Sequence, residues 1–224
     1  MPYGLIFDVD GVIADTEPLS TKATNQTFWD LFKVAIKEED SLAFMGATTE
    51  IHLLGIATKY NLSIDLEQAL SKKQSFFFDA LENAGSLIFP GVETLFNRVT
   101  ESNDWKTALA TSSDRNRSEK TLAKAGLNTS LLDAWLTGND IAKPKPDPEI
   151  YQATALAIGI SPVNCVVIED SLAGITAAKE AGMACIGVTN TFPGEELRAA
   201  DRIVDSLEAV DMTLLHDLIH EISH

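Results

Sequence analysis

The chain has 224 residues, 45% of them apolar and 22% charged, with 33 acidic against 17 basic side chains and a net charge of −16. Such a length and mixture suit one or two ordinary globular domains, and no apolar run approaches the roughly 20 residues that span a bilayer. The acidic balance repels phosphate backbones and anionic lipid, which argues against nucleic-acid and membrane partners.

The first apolar run, Gly4-Leu5-Ile6-Phe7, follows Met1-Pro2-Tyr3 at once, with no basic leader to cleave away. It reads as a strand and ends in Asp8-Val9-Asp10-Gly11. Two carboxylates at i and i+2 point to one side if the extended chain continues. Like charges that close need a cation between them, and Gly11 permits a sharp turn beneath. Residues 17–84 then read as helices, roughly 18–36, 48–60 and 65–84, with no strand between them. Pro18 suits a first helical turn, and Gly85, Pro90 and Gly91 punctuate the return. About 70 helical residues exceed the usual crossover between strands. The expectation is therefore an inserted α-helical domain, 17–85, in an α/β core domain formed by 1–16 and 86–224.

Beyond residue 88, strands and helices alternate. Trp105–Ala110 leads to a helix over 115–126, Asn164–Ile168 to one over 171–182, and Ala184–Val188 to a Pro-Gly turn; 134–137 and 202–204 are weaker strand candidates. This pattern predicts a Rossmann-like parallel sheet with helices on both faces. Cys165 and Cys185 lie in apolar strands without metal spacing, as buried free thiols of a reducing cytoplasmic protein do.

In such a sheet, ligands gather at the carboxyl ends of the strands. Glu169-Asp170-Ser171 follows the apolar Val166-Val167-Ile168, although Asp170 or Ser171 could also simply cap the next helix. Two acidic strand ends together suggest a hard-cation site, and oxygen ligands without a His or Cys cluster suit Mg2+ better than zinc. Thr111-Ser112-Ser113 opens a helix and offers hydroxyl and amide donors to phosphate oxygens, but it is also an ordinary capping sequence. Lys143-Pro144-Lys145-Pro146-Asp147-Pro148 carries two lysines in a proline-stiffened loop, and either could serve.

Taken together, the segments beginning at Asp8, Thr111, Lys145 and Val167 resemble the haloacid dehalogenase-like superfamily, in order, over essentially the whole core. The resemblance is to the subgroup with a helical cap after the first strand. It implies a Mg2+-dependent phosphatase acting on a small phosphorylated metabolite, such as a sugar phosphate or a phosphoglycolate-like compound. By resemblance Asp8 is the nucleophile, forming an aspartyl-phosphate, and Asp10 the general acid/base. Asp8, Glu169, Asp170 and the main-chain carbonyl of Asp10 surround the metal, directly or through water. Thr111 binds the transferring phosphoryl group with the Ser112 amide beside it. Lys145 stands six residues before Tyr151, the family's usual spacing, which favours it over Lys143.

Two alternatives differ in chemistry. A phosphosugar mutase of the β-phosphoglucomutase type uses the same intermediate, but such mutases carry a His where this chain has Ser20. They also read Lys-Gly-x-x-Arg where this chain has Met45-Gly46-Ala47-Thr48-Thr49. A non-enzymatic Mg2+-binding receiver lacks a helical insertion after its first strand. The expected assembly is a monomer or weak homo-oligomer.

Overall fold

The computed structural model describes residues 2–42 and 48–222. Met45, Gly46 and Ala47, which bear on the mutase comparison, lie outside the described residues. The chain divides into two compact units, Met1–Asp15 with Leu87–His224, and Thr16–Ser86.

The first unit is built on six parallel strands: β1 (Tyr3–Phe7), β2 (Trp105–Ala110), β3 (Ala134–Leu136), β4 (Cys165–Glu169), β5 (Ala184–Val188) and β6 (Arg202–Val204). Their order is β3-β2-β1-β4-β5-β6. The first strand in sequence thus lies inside the sheet, between β2 and β4. Its order reverses there, and open parallel sheets bind ligands at such a point.

The second unit contains α1 (Glu17–Phe32), α2 (Glu38–Leu42), α3 (Thr49–Lys59) and α4 (Leu66–Asn83). Phe28, Ile36, Leu53, Ile56, Ala57 and Ala69 form its own buried core. The first helix is shorter than the expected 18–36. Lys33 turns left-handed at φ 57° and its amide closes on the Trp29 carbonyl, so the chain leaves the helix and Ile36 enters the core from outside it. The short α2 was not anticipated; five residues give too little periodicity to read.

The core helices are α5 (Val92–Thr100), α6 (Arg115–Ala125), α7 (Glu149–Ile158), α8 (Leu172–Glu180) and α9 (Met212–Ile222). Period-two alternation along β1 sends Leu5 and Phe7 to the face covered by α5, α6 and α9, and Ile6 to the face covered by α7 and α8. The inner strands are mostly apolar, Lys106 and Thr107 in β2 and Glu169 at the end of β4 apart, which explains the hydrophobic runs in the sequence. Cys165 and Cys185 are buried free thiols within this packing.

Candidate active site

The carboxyl ends of β1, β2 and β4 converge on a group of charged side chains. The ladder between β1 and β4 runs one bond past the strand, from the Asp8 amide to the Ile168 carbonyl at 3.0 Å. The chain then folds back tightly, with the Ile13 amide on the Val9 carbonyl at 2.9 Å. Gly11 adopts φ +79°, and a side chain there would collide with the Asp170 carboxylate. Glycine therefore lets the strand ends of β1 and β4 bring Asp8 and Asp170 to the same turn.

Lys145 lies at the centre. Its Nζ donates to Asp8 Oδ1 at 2.7 Å, to Glu169 Oε1 at 2.6 Å and to the Ala110 carbonyl at 3.2 Å. The Tyr151 hydroxyl donates to Glu169 Oε1 at 2.7 Å, and its ring lies 4.8 Å beneath the ammonium. Lys143 instead pairs at the surface with Asp147 at 3.5 Å, its side chain 72% exposed against 6% for Lys145.

Glu169 Oε2 accepts from the amides of Asp170 and Ser171 and from the Ser171 hydroxyl at 3.0–3.1 Å. Ser171 caps α8 through the Gly174 amide. The capping reading considered for this segment thus applies to Ser171 and leaves Asp170 available to the site. The Thr191 hydroxyl donates to Asp170 Oδ2, and Asn190 Nδ2 donates to the Gly11 carbonyl at 2.8 Å.

Asp10 faces β2 and α6. Its Oδ2 accepts from the Ser113 hydroxyl at 2.7 Å and, at a long 3.4 Å, from the Thr111 hydroxyl; Arg117 Nη2 donates to Oδ1 at 3.1 Å. Thr111 is buried and Ser112 exposed. Asp114, not a preceding hydroxyl, caps α6 through the Arg117 amide at 2.8 Å.

Charge is poorly balanced in this enclosure. Burial pushes the Asp8 carboxyl up to about 7; Lys145 opposes that, while Glu169 and Asp10 add to it. Burial acts to raise Glu169 as well, but Lys145 and hydrogen bonds from Lys145, Tyr151 and Ser171 outweigh it and hold Glu169 below its ordinary value. Burial disfavours the Lys145 ammonium, yet Asp8 and Glu169 hold its pKa above the ordinary value. Of the two carboxylates sharing one lysine, Glu169 has the better hydrogen bonds and keeps the charge, which leaves Asp8 to carry the strain.

Among the described residues, no three His, Cys, Asp or Glu side chains form a ready metal-holding group. The available donors are all oxygens: the Asp8 and Asp170 carboxylates about Gly11, and main-chain carbonyls of the same turn. That set suits a hard cation that keeps several waters.

The structure brings Asp8, Asp10, Thr111, Glu169 and Asp170 together from the ends of β1, β2 and β4, with Lys145 from the loop before α7. Reading the sequence did not single out Arg117, Thr191 or Asn190. Only Arg117 carried a signal, as a cation in the first turn of a helix, where the dipole favours anions.

Comparison with known proteins gives a consistent relationship. The haloacid dehalogenase-like hydrolase family matches residues 5–188. Protein SUPPRESSOR OF QUENCHING 1 of Arabidopsis thaliana is 34% identical over 88% of this chain, which corresponds to only 19% of that protein. The putative phosphatase YhcW of Bacillus subtilis is 30% identical over 97% of each chain. The crystal structure of β-phosphoglucomutase from Clostridium difficile superposes with a TM-score of 0.86 at 27% identity, covering 99% of this chain and 98% of that one.

Proposed function

The chain belongs to the haloacid dehalogenase-like hydrolases, and from that footing we propose that it is a cytoplasmic Mg2+-dependent phosphatase of small phosphorylated metabolites, working through an aspartyl-phosphate on Asp8. The observation that carries the reading is the buried Lys145 ammonium shared by Asp8 and Glu169 at two adjacent strand ends. Asp10 stands beside it with a hydroxyl-rich turn.

In this reading the Asp8 carboxylate attacks phosphorus and the ester P–O bond breaks, while Asp10 gives its proton to the departing oxygen. Water then attacks the aspartyl-phosphate, Asp10 takes the proton, and Asp8 and inorganic phosphate are regenerated. Lys145 screens the charge on Asp8, and Thr111 and the Ser112 amide hold phosphoryl oxygens. Asp8, Asp170 and the Asp10 carbonyl would hold Mg2+, with Glu169 reaching it through water because its own oxygens serve Lys145, Tyr151 and Ser171. Bound there, the ion would offset negative charge on Asp8 and the phosphoryl group. Residues 17–85 act as the cap that chooses the substrate. A sugar phosphate is the favoured class, since a phosphoglucomutase shares the fold along nearly its whole length.

The test is phosphate release from a panel of phosphorylated metabolites with Mg2+ and with EDTA. Turnover should require the metal and vanish in Asp8→Asn, a loss of several orders of magnitude because a covalent step disappears. Acid-labile phosphate trapped on another residue, or full activity in EDTA, would overturn the reading.

A further inference from the structure

Past its Asp114 cap, helix α6 opens against its own dipole. Its first turn has no acidic residue and contains Arg115 and Arg117, although that end of a helix favours anions. Arg115 is answered locally by Asp140 at 3.1 Å and by the face of Trp135. Arg117 is answered by Asp10, more than a hundred residues earlier in the chain. Side chains in a helix lean toward its N-terminus, so this position aims the guanidinium at the sheet end. Asp114 fixes the backbone amide from which it projects.

The result is a two-point hold on one carboxylate. Arg117 takes Oδ1, and the Ser113 hydroxyl takes Oδ2 at 2.7 Å. The side chains of both partners are mostly shielded, 15% exposed for Arg117 and 19% for Asp10. Asp10 itself sits on a turn next to a left-handed glycine. Proton transfer requires the carboxyl within hydrogen-bond reach of the reacting oxygen and in one orientation. A loop carboxylate held by one oxygen can pivot; held by both, it cannot.

We infer that Arg117, with Ser113, is the positioning residue that fixes the Asp10 carboxyl for proton transfer to the leaving group. This rests on the reading of Asp10 as the acid/base. Arg117 acts through Asp10 and is assigned no contact with the phosphoryl group.

Leaving groups of different basicity separate this from simple charge neutralisation. Departing nitrophenolate is stable and needs little protonation; an alkoxide needs it badly. Values of kcat/KM, which report ester cleavage, are compared for 4-nitrophenyl phosphate and glycerol 2-phosphate. Arg117→Ala should cost about 30- to 100-fold on the alkyl ester and about threefold on the aryl ester, a share of what a general acid contributes. Arg117→Lys, which keeps charge but loses the planar fork, should fall between. Asp10→Ala should show the same bias, more strongly. Equal losses on both esters in the two Arg117 variants would overturn the inference while leaving Asp10 in its role. Equal losses in Asp10→Ala would overturn the role itself and the inference with it. If Arg117→Ala melts below the assay temperature, Arg117→Lys alone decides: an unchanged ratio between the esters refutes it.

Discussion

Around Asp8, three neighbouring carboxylates compete for too little positive charge in a space nearly closed to water. With its carboxyl held up to about 7, against 3.8 in an ordinary environment, the metal-free folded state carries a proton through that window which the unfolded chain has lost. The folded side therefore binds more protons, and Asp8 makes stability fall as pH rises from about 4 to about 7. His52 has the opposite slope: burial chiefly, with help from Lys73, lowers it to about 4, so its contribution is present above 6.5 and is lost as pH falls toward 4. Comparing EDTA with Mg2+ at each pH isolates the first effect. Urea unfolding should show Mg2+ stabilising the protein clearly more at pH 8 than at pH 5, since at the lower pH the ion must displace a proton. Equal stabilisation at both would mean that Asp8 is not where the ion binds. The acids of this cluster were legible in the sequence because each directly follows an apolar strand. Choosing between Lys143 and Lys145 needed family spacing, because both lie in the same loop with similar neighbours. Arg117 carried no signal beyond that of a cation in a helix's first turn, because its partner Asp10 is set by the tertiary fold.

Among the elements, α8 shows how a helix start can be shaped by a side chain from the preceding strand. Gly174 sits in its first turn, and a Cβ there would run into the Glu169 carboxylate. Helix propensity alone favours alanine at such a position by about 1 kcal/mol. Here Gly174→Ala should instead lower the urea midpoint and the turnover together, because it displaces the group that anchors Lys145. A raised midpoint would show that Glu169 can shift at little cost. The core strands and the helices α6 and α8 were readable to within a few residues, since the covered strands are mostly apolar and Asp114, Gly126 and Ser171 mark helix ends, whereas α5, α7 and α9 were not placed from the sequence. The first helix of the second unit was overextended because Val34-Ala35-Ile36 continues the apolar pattern, while its end depends on a left-handed lysine that no residue type announces.

At the level of the whole molecule, the family relationship joins phosphatases and a mutase that share one backbone, so the fold alone does not choose between them. The choice rests on Ser20, which is buried in α1 with its carbonyl accepting from Thr24, and on the missing cations of the Met45–Thr49 stretch. Ser20 stands where such mutases carry a His. Lost charged hydrogen bonds to a second phosphate cost on the order of 1.5–3 kcal/mol each. Incubated with β-glucose 1-phosphate and a catalytic amount of the 1,6-bisphosphate, the protein should release free phosphate faster than it forms glucose 6-phosphate. The reverse ranking would make it a mutase.

The inner place of β1 also has a consequence for synthesis. Tyr3 pairs with Trp105 and Gly4 with Cys165, so the first strand made must wait for partners more than a hundred residues away. Contacts of that separation fold slowly and leave apolar edges open meanwhile. The order in which charges emerge eases the wait. Asp8 and Asp10 come first, then Arg117, then Lys145, and only afterward Glu169 and Asp170. Each cation is thus in hand before the last acids arrive, and a nascent chain short of β4 holds Asp8 without Glu169, the second carboxylate on Lys145. Ribosome-bound chains ending before residue 165 should accordingly be inert toward phosphate esters, however well their first strand has formed.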